Sequence, residues 1–594
     1  MQSVFDKLYD DSKQGKEFTN LYELIVSREN ILLAYRKIKN NKGSKTAGVN
    51  YRTIKDWHSA DVENYVGYVR KRLQNYFPHK VKRVEITELN GKIRPLGIPT
   101  MEDRLIQQCI KQILEPILEA KFYPLSFGFR PNRSTMHAVN EFMRMVNHSK
   151  LYYVIDVDIK GFFDNVNHAK LLKQLWTLGI RDKEVVSIIS KMLKAEIKDI
   201  GKPTKGTPQG GILSPLLANV VLNELDWWIN SQWKSFEIKE VKVRIREDGN
   251  IDKGNVYVKL RNSTKLKEMH VVRYADDFKI LCKSYDDAIR TYEAVKQWIN
   301  QRLSLEVSEE KSQVIDIRKK SSEFLGFRFK AKSKGDKIVI NSHMTEKAIR
   351  KCIENLKDSI RKIRESPTPK NVLRYNSIVM GIQNYYSIAT NVNLDLRELD
   401  YKIHAFRYNQ LKWVMTKRGV TSKTYNEKYK GYNYKKQFVA GLCLFPLPAV
   451  KHKHPVGFSQ EICDYTVKGR LKIHSNLKIN INILHYIMEN APQNYSAELA
   501  DNRISLYSAQ WGKCGATGEA LCIGNMEVHH KLPKELGGKD EYKNLIWVTS
   551  DVHKLIHATN NDIIQKYLDS VKPNFDDLEK INKLRKIAGN CVIV

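Results

Sequence analysis

Val271-Val272-Arg273-Tyr274-Ala275-Asp276-Asp277-Phe278-Lys279-Ile280-Leu281 places two adjacent carboxylates between β-branched and aromatic runs. Such runs favour strands, so the pair reads as a hairpin turn. Neighbouring carboxylates raise each other's proton affinity unless a cation lies against them, which points to a metal site. Asp pairs also cap helices and fill ordinary turns. A second stretch decides between the two. Upstream, Tyr152-Tyr153-Val154-Ile155-Asp156-Val157-Asp158-Ile159-Lys160-Gly161-Phe162-Phe163-Asp164 is another strand ending in carboxylates, followed by a helical stretch from Asn167. Strands carrying Asp158 and Asp276 to one sheet edge would hold two divalent ions about 3.5–4 Å apart. One ion would lower the pKa of an attacking 3′-hydroxyl, and both would stabilise charge on a transferred phosphorus, which is the chemistry of nucleotidyl transfer. Asp277 takes a weaker, outer part in the ligand set, and Asp156 and Asp164 read as local turn or cap residues.

Composition narrows the partners. A chain of 594 residues, 42% hydrophobic, has material for several cores. Its formal net charge of +34 is spread along the chain instead of forming one tail. Such a surface suits a polyanion, RNA or DNA, with affinity governed by counterion release. No apolar run reaches the roughly 18 residues of a membrane span, and Met1-Gln2-Ser3-Val4-Phe5-Asp6 carries no basic leader, so a cytoplasmic protein without membrane contact is expected. The eight cysteines include no Cys-x-x-Cys pair and read as buried apolar groups in a reducing compartment.

Along the chain, residues 1 to about 80 look helical. A basic hairpin follows, Lys80–Ile86 with Lys92-Ile93-Arg94, turning at Leu89-Asn90-Gly91. Leu105, Ile106, Cys109, Ile110, Ile113, Leu114, Ile117 and Leu118 recur at helical spacing and mark a core-facing stripe. Residues 227–268 form a Lys/Arg-rich insertion with short alternating strands such as Val256-Tyr257-Val258-Lys259-Leu260, either a solvated face or a track for a template backbone. Ala331-Lys332-Ser333-Lys334-Gly335-Asp336-Lys337 is a hinge candidate and puts a boundary near 335. Residues 345–435 are helical and basic, with Tyr375, Tyr385, Tyr386, Phe406, Tyr408 and Trp413 interleaved. His452-Lys453-His454-Pro455 lacks a third ligand in step and reads as an exposed basic loop.

Ordered motifs then identify a relative. Asn41-Lys42-Gly43 through Thr46-Ala47-Gly48-Val49, Lys92-Ile93-Arg94-Pro95-Leu96-Gly97-Ile98-Pro99 and Ser126-Phe127-Gly128-Phe129-Arg130-Pro131-Asn132-Arg133-Ser134 come first. Thr207-Pro208-Gln209-Gly210-Gly211-Ile212-Leu213-Ser214-Pro215-Leu216-Leu217-Ala218-Asn219, the Tyr274-Ala275-Asp276-Asp277 turn and Phe324-Leu325-Gly326-Phe327 follow. In this order they resemble the reverse transcriptases encoded by group II introns. The resemblance implies two Mg²⁺ ions held by Asp158 and Asp276, with Asp277 outside them. It implies that Phe163 lies below the sugar, where a ring leaves no room for a 2′-hydroxyl, so the substrate is a dNTP. Arg94 matches a triphosphate clamp suited to its planar guanidinium, with Lys92 a softer second choice. Gln209, ahead of two glycines, would approach the nascent base pair. Lys311 matches a lysine the family carries after the palm helix, or it is a surface ammonium paired with Glu.

A second constellation closes the chain: Glu527-Val528-His529-His530-Lys531-Leu532-Pro533, then Gly537-Gly538, Asn544-Leu545 and His553-Lys554-Leu555-Ile556-His557. His553 and His557 are i and i+4, on one helix face, and can chelate one ion. His529 on a strand would be the third ligand of that divalent metal. His530, on the opposite strand face, is then free to act as general base, oriented by Asn544. This resembles the HNH or ββα-metal nucleases. Many of those flank the unit with Cys-x-x-Cys pairs for zinc, whereas here Cys514 is followed by Ala516 and Thr517, and Thr549 and Val552 stand at the second pair, so a structural zinc is not expected.

The expected fold is therefore multidomain α+β: right-hand polymerase fingers and palm over 1–335, a helical thumb or maturase domain over 336–435, a DNA-binding region over 436–500 and a C-terminal ββα-metal HNH unit over 501–594. The expected function is a group II intron-encoded RNA-directed DNA polymerase, splicing maturase and DNA endonuclease, working by target-primed reverse transcription. Its partners would be intron RNA, target DNA and dNTPs, with a homodimer left open. The rivals are an RNA-binding splicing maturase without catalytic activity and a defence or repair reverse transcriptase.

Overall fold

The computed structural model describes residues 1–39, 41–57, 61–87, 91, 93–236, 244–245, 251–252, 254–474, 480–490 and 495–593. The chain is mixed helix and sheet. At its centre lies a four-stranded antiparallel sheet in which the Tyr153–Val157 strand is flanked by Asp277–Cys282 and Gln313–Asp316, with Met269–Tyr274 outermost beside Asp277–Cys282. These runs are apolar on both faces because the sheet separates two cores. Ile155, Val271 and Ile280 enter one core, and their neighbours Val154, Val272 and Leu281 enter the other.

The first core gathers the N-terminal helices, the Met101–Glu119 helix and the Ser214–Gln232 helix. All eight residues of the expected Leu105–Leu118 stripe are buried. So are polar residues on the same helix, each with a task. Asp103 accepts from Tyr76, Thr100 and the His79 backbone, and Arg104 donates to the carbonyls of Pro99, Gly43 and Thr46.

The second core carries the sheet over to the helices Glu346–Glu365, Pro369–Tyr386 and Val392–Leu411. The expected hinge at 331–337 is instead the tip of a hairpin between Phe327–Lys334 and Lys337–Met344, paired from Phe327↔Met344 to Lys334↔Lys337. The Lys, Ser and Gly content that suggested a linker belongs to the outward-facing tip, and Phe329, Ala331 and Ile340 are buried in the core that spans the expected boundary. Of the aromatics beyond it, Tyr375 is core, whereas Tyr408 and Trp413 are exposed.

The insertion also differs from expectation. Val256–Leu260 lies in a helix, Gly254–Ser263, because Val256, Tyr257 and Leu260 fall on one helical face and pack inward while Val258 stays exposed. Much of the remaining insertion, 237–243, 246–250 and 253, lies outside the described residues, as do Leu89 and Asn90 of the basic turn. That turn joins strands Lys82–Thr87 and Ile93–Ile98.

A third core forms the C-terminal unit and includes Ile483, Ile487, Leu499, Tyr507, Trp547, Leu555 and Ile581. Since Ile483 and Ile487 belong to the Ile481–Glu489 helix, and residue 500 falls within the Ala497–Ala509 helix, the packing unit begins near 480 and not at 501. Among the described residues no helix is long and apolar enough to cross a membrane.

Candidate functional site

The Met269–Tyr274 and Asp277–Cys282 strands are joined by Ala275-Asp276, with Ala275 in the left-handed region at φ 58°. Val157 is opposite Phe278, so Asp158, the next residue, leaves the sheet at the same end as the Asp276-Asp277 turn. Three bonds fix Asp158. Its amide donates to Ser312 Oγ at 3.0 Å, its carbonyl accepts from Ser308 N at 2.8 Å, and Oδ2 accepts from Lys311 Nζ at 3.0 Å. Lys311 therefore meets the carboxylate expected to be catalytic; among its glutamate neighbours, Glu309 pairs with Lys296 instead.

Asp277 is held differently. Burial pushes its carboxyl above the ordinary range, Asp156 and Asp276 add to this, and Lys279 opposes it. Lys279 is buried and bridges Asp156 Oδ1 at 3.2 Å and Asp277 Oδ1 at 3.6 Å, while Ser322 Oγ donates to Asp156 Oδ1 at 2.9 Å. Asp156, expected as a turn or cap residue, is instead a buried strand residue paired with Lys279.

Below the turn lies a support that the sequence did not announce. Arg273, 1% exposed, donates to both oxygens of Asp226 at 2.6–2.9 Å, to Asn219 Oδ1 at 3.0 Å and to the Ala275 carbonyl at 2.7 Å. Asn219 Nδ2 donates in turn to the Gly128 carbonyl at 2.9 Å, and Phe127 N to the Arg273 carbonyl at 2.8 Å. The Ser126–Arg130 segment and the Ser214–Gln232 helix therefore grip the turn from two sides.

The segments that carry Phe163, Gln209 and Arg94 touch one another. Phe163 is in the short Phe162–Asn165 helix, its ring 6.5 Å from that of Phe129, and its carbonyl accepts from Thr207 N at 2.7 Å. The Gln209 carbonyl accepts from Gly97 N at 2.7 Å, so the loop of Gln209 lies on the strand of Arg94. A Cβ on Gly210 would come 2.5 Å from the Gly97 oxygen, so only glycine permits this approach. Arg94 pairs with Ile86 across that hairpin, and Lys92 lies outside the described residues.

At the other end of the chain, strands Glu527–His530 and Leu545–Val548 pair antiparallel and are followed by the Ser550–His557 helix. His529, His553 and His557 bring ligand atoms within 4.8 Å of one another, the one such cluster of three or more His, Cys, Asp or Glu among the described residues. The set fits a divalent ion. Burial, with His553 and His557 beside it, pushes His529 down to about 3, which leaves the imidazole neutral as a metal ligand must be, and its Nε2 is buried without a hydrogen-bond partner. Glu527 Oε2 lies 2.8 Å from His553 Nδ1, in the place of an outer partner.

His530 contacts a residue that sequence reasoning passed over. Its Nε2 lies 2.7 Å from Asp540 Oδ1. Although burial opposes it, bonds from His530, Ser496 and Lys534 hold the Asp540 carboxyl below the usual range. Asn544, expected to orient His530, instead closes the intervening loop: its Oδ1 accepts from Leu532 N at 2.8 Å and its Nδ2 donates to the carbonyls of Leu532 and Lys539 at 3.0 Å. A side-chain amide accepts and donates at once, so Asn544 closes the loop from both sides.

Asp158, Asp276 and Asp277 thus stand together at one end of the central sheet. Residues 79–329 match the family described as reverse transcriptase (RNA-dependent DNA polymerase). The group II intron-encoded protein LtrA of Lactococcus lactis subsp. cremoris is 31% identical over 483 residues, covering 71% of this chain and 79% of that protein. Protein YkfC of Escherichia coli K12 is 31% identical over 341 residues, covering 55% of this chain and 88% of its own. Nuclear intron maturase 2, mitochondrial, of Arabidopsis thaliana is 27% identical over 268 residues, 37% of this chain and 36% of that one. The chain belongs to the group II intron-encoded proteins, with a reverse transcriptase domain over residues 79–329.

Proposed function

We propose that this chain is a multifunctional intron-encoded enzyme: an RNA-directed DNA polymerase of right-hand layout, a maturase for its intron RNA, and an HNH-type endonuclease that cuts target DNA to make the primer. The observation that carries this reading is the presence on one chain of the Asp158–Asp276 sheet end and a separate three-histidine cluster. Fingers and palm would run to the hairpin ending at Met344, the thumb would follow, and the nuclease unit would begin near 480.

In the polymerase, Asp158 and Asp276 would hold two Mg²⁺ ions, which when bound supply the charge that activates a 3′-hydroxyl and offsets the phosphates. Phe163 would exclude a 2′-hydroxyl, Gln209 would meet the nascent base pair, and Arg94 would clamp the triphosphate. Lys311 would hold Asp158 until the substrate arrives. RNA would lie along the region Lys412–Lys436, which carries eight Lys or Arg against one Glu, beside exposed Tyr401, Tyr408 and Trp413.

In the nuclease, His529, His553 and His557 would hold one divalent ion, which when bound supplies charge to the scissile phosphate and leaving oxygen. His530 would take the proton of the attacking water. The test uses full-length protein with its co-purified RNA. Asp276→Ala should abolish primer extension on an RNA template while leaving splicing and DNA nicking, and His530→Ala should remove nicking alone. Failure of the intact protein to extend a primer with Mg²⁺ would favour a non-catalytic splicing factor.

A further inference from the structure

The bond from His530 to Asp540 continues out of the nuclease unit. Asp540 Oδ2 accepts from Ser496 Oγ at 2.6 Å, and its backbone oxygen accepts from Asn502 Nδ2 at 2.7 Å. Ser496 caps the Ala497–Ala509 helix and Asn502, 2% exposed, lies within it. Asn502 Oδ1 in turn accepts from Lys39 Nζ at 2.8 Å, at the end of the Arg28–Lys39 helix near the other terminus of the chain. That junction is built, not incidental. Lys39 Nζ is also 3.3 Å from Asp501 and 3.7 Å from Glu498, Arg36 is 3.6 Å from Asp501, and Asp61 forms an antiparallel bridge with Ser496.

A general base must present one nitrogen in one direction. An imidazole bonded through Nε2 to a carboxylate keeps its proton there and leaves Nδ1 as the basic lone pair. Asp540 can fix the ring only if it is itself fixed, and it stands in a loop between Gly538 and Asn544 that Lys534 and Asn544 hold from within and Ser496 and Asn502 tie to the Ala497–Ala509 helix.

We propose that Asp540 is the positioning residue for His530 in DNA cleavage, and that Lys39, acting through Asn502, makes this positioning depend on the N-terminal helix docked against the nuclease unit. The inference rests on the nuclease reading of His530. It gives the nuclease unit a physical link to the first core, in which the Arg28–Lys39 helix packs: cutting is competent only while that helix is in place.

The test is nicking of a supercoiled plasmid carrying the intron-free insertion sequence, by full-length protein with its co-purified RNA, measured against DNA concentration. Asp540→Asn, which keeps the side-chain volume, should lower the maximal nicking rate about 100-fold with half-saturation unchanged. Lys39→Met should lower it about tenfold, Lys39→Arg should restore most of the loss, and primer extension by both Lys39 variants should match the parent. Full nicking by Asp540→Asn or Lys39→Met, with none by His530→Ala, would overturn the proposal and leave the nuclease reading standing. Nicking by His530→Ala equal to the parent, or none by the parent, would overturn the nuclease reading and the proposal together. Loss of primer extension in Lys39→Met would show a general folding defect in place of a specific link, and would also count against the proposal.

Discussion

Replacing Gly128 by alanine should disable DNA synthesis without touching Asp158 or Asp276. A Cβ at 128 would lie 2.2 Å from Ala275 N, 2.8 Å from the Tyr274 carbonyl carbon and 2.9 Å from Ala275 Cα. All three are backbone atoms, so no side-chain rotation relieves the overlap. Ordinary contact begins near 3.4 Å, so the turn and the Ser126–Arg130 segment must part by about 1 Å. Neither side yields cheaply, because Asn219 bonds to the Gly128 carbonyl and Phe127 N bonds to the Arg273 carbonyl. Overpacking of this kind costs about 1–3 kcal/mol of stability. A displacement of about 1 Å at a reacting group lowers the chemical step about 100-fold, equivalent to about 2.7 kcal/mol of barrier. Single-turnover primer extension reads the rate, thermal melting reads the stability, and DNA nicking by the same preparation serves as an internal control. Extension by Gly128→Ala within about threefold of the parent, with melting unchanged, would refute the argument that the Gly128 backbone sets the turn.

Three further outcomes follow from the same geometry. Arg273→Met strands Asp226 in a fully buried position and should cost about 3–5 kcal/mol in denaturant unfolding, with Asp226→Leu added to it recovering part of the loss. Phe163→Ala should allow ribonucleotides to be incorporated opposite an RNA template, measured by alkali-sensitive product; resistance to alkali would remove Phe163 from the sugar pocket. Iodoacetamide on the native protein should label Cys522 and Cys591, which are exposed, and spare Cys109 and Cys282, whose thiols burial pushes up to about 12, as read by peptide mass spectrometry.

What was legible in the sequence was what local pattern encodes. Asp158 and Asp276 could be placed because each ends an apolar run too short and too β-branched for a helix, and His553 with His557 because a helix period puts them on one face. Arg273–Asp226 was not legible: the pairing joins residues far apart in the chain, and only the oddity of an Asp inside the apolar Leu225–Ile229 run hinted at it. Asp540 escaped for a related reason, since loop residues carry no periodicity and its bond to His530 exists only once the Lys531–Asn544 loop closes. Val256–Leu260 misled because five alternating residues fit a strand and one turn of helix alike, and packing of Leu260 settled it. The tip at Gly335 misled because an exposed hairpin end and a linker share the same composition.

The two lysines at the sheet end assign the aspartates different parts. Lys279 is 8% exposed on its side chain and fixed between Asp156 and Asp277, so its charge is a permanent part of the site. Lys311 is 58% exposed, and the Asp158 side chain it meets is 43% exposed. An exposed pair of this kind is held by about 0–1 kcal/mol, whereas a buried ammonium cannot leave its partners without several times that cost. Lys311 can therefore leave Asp158 at almost no expense, whereas Lys279 stays beside Asp277, whose own side chain is 44% exposed. On the polymerase reading proposed above, this difference would make Asp158 the inner ligand and Asp277 the outer one.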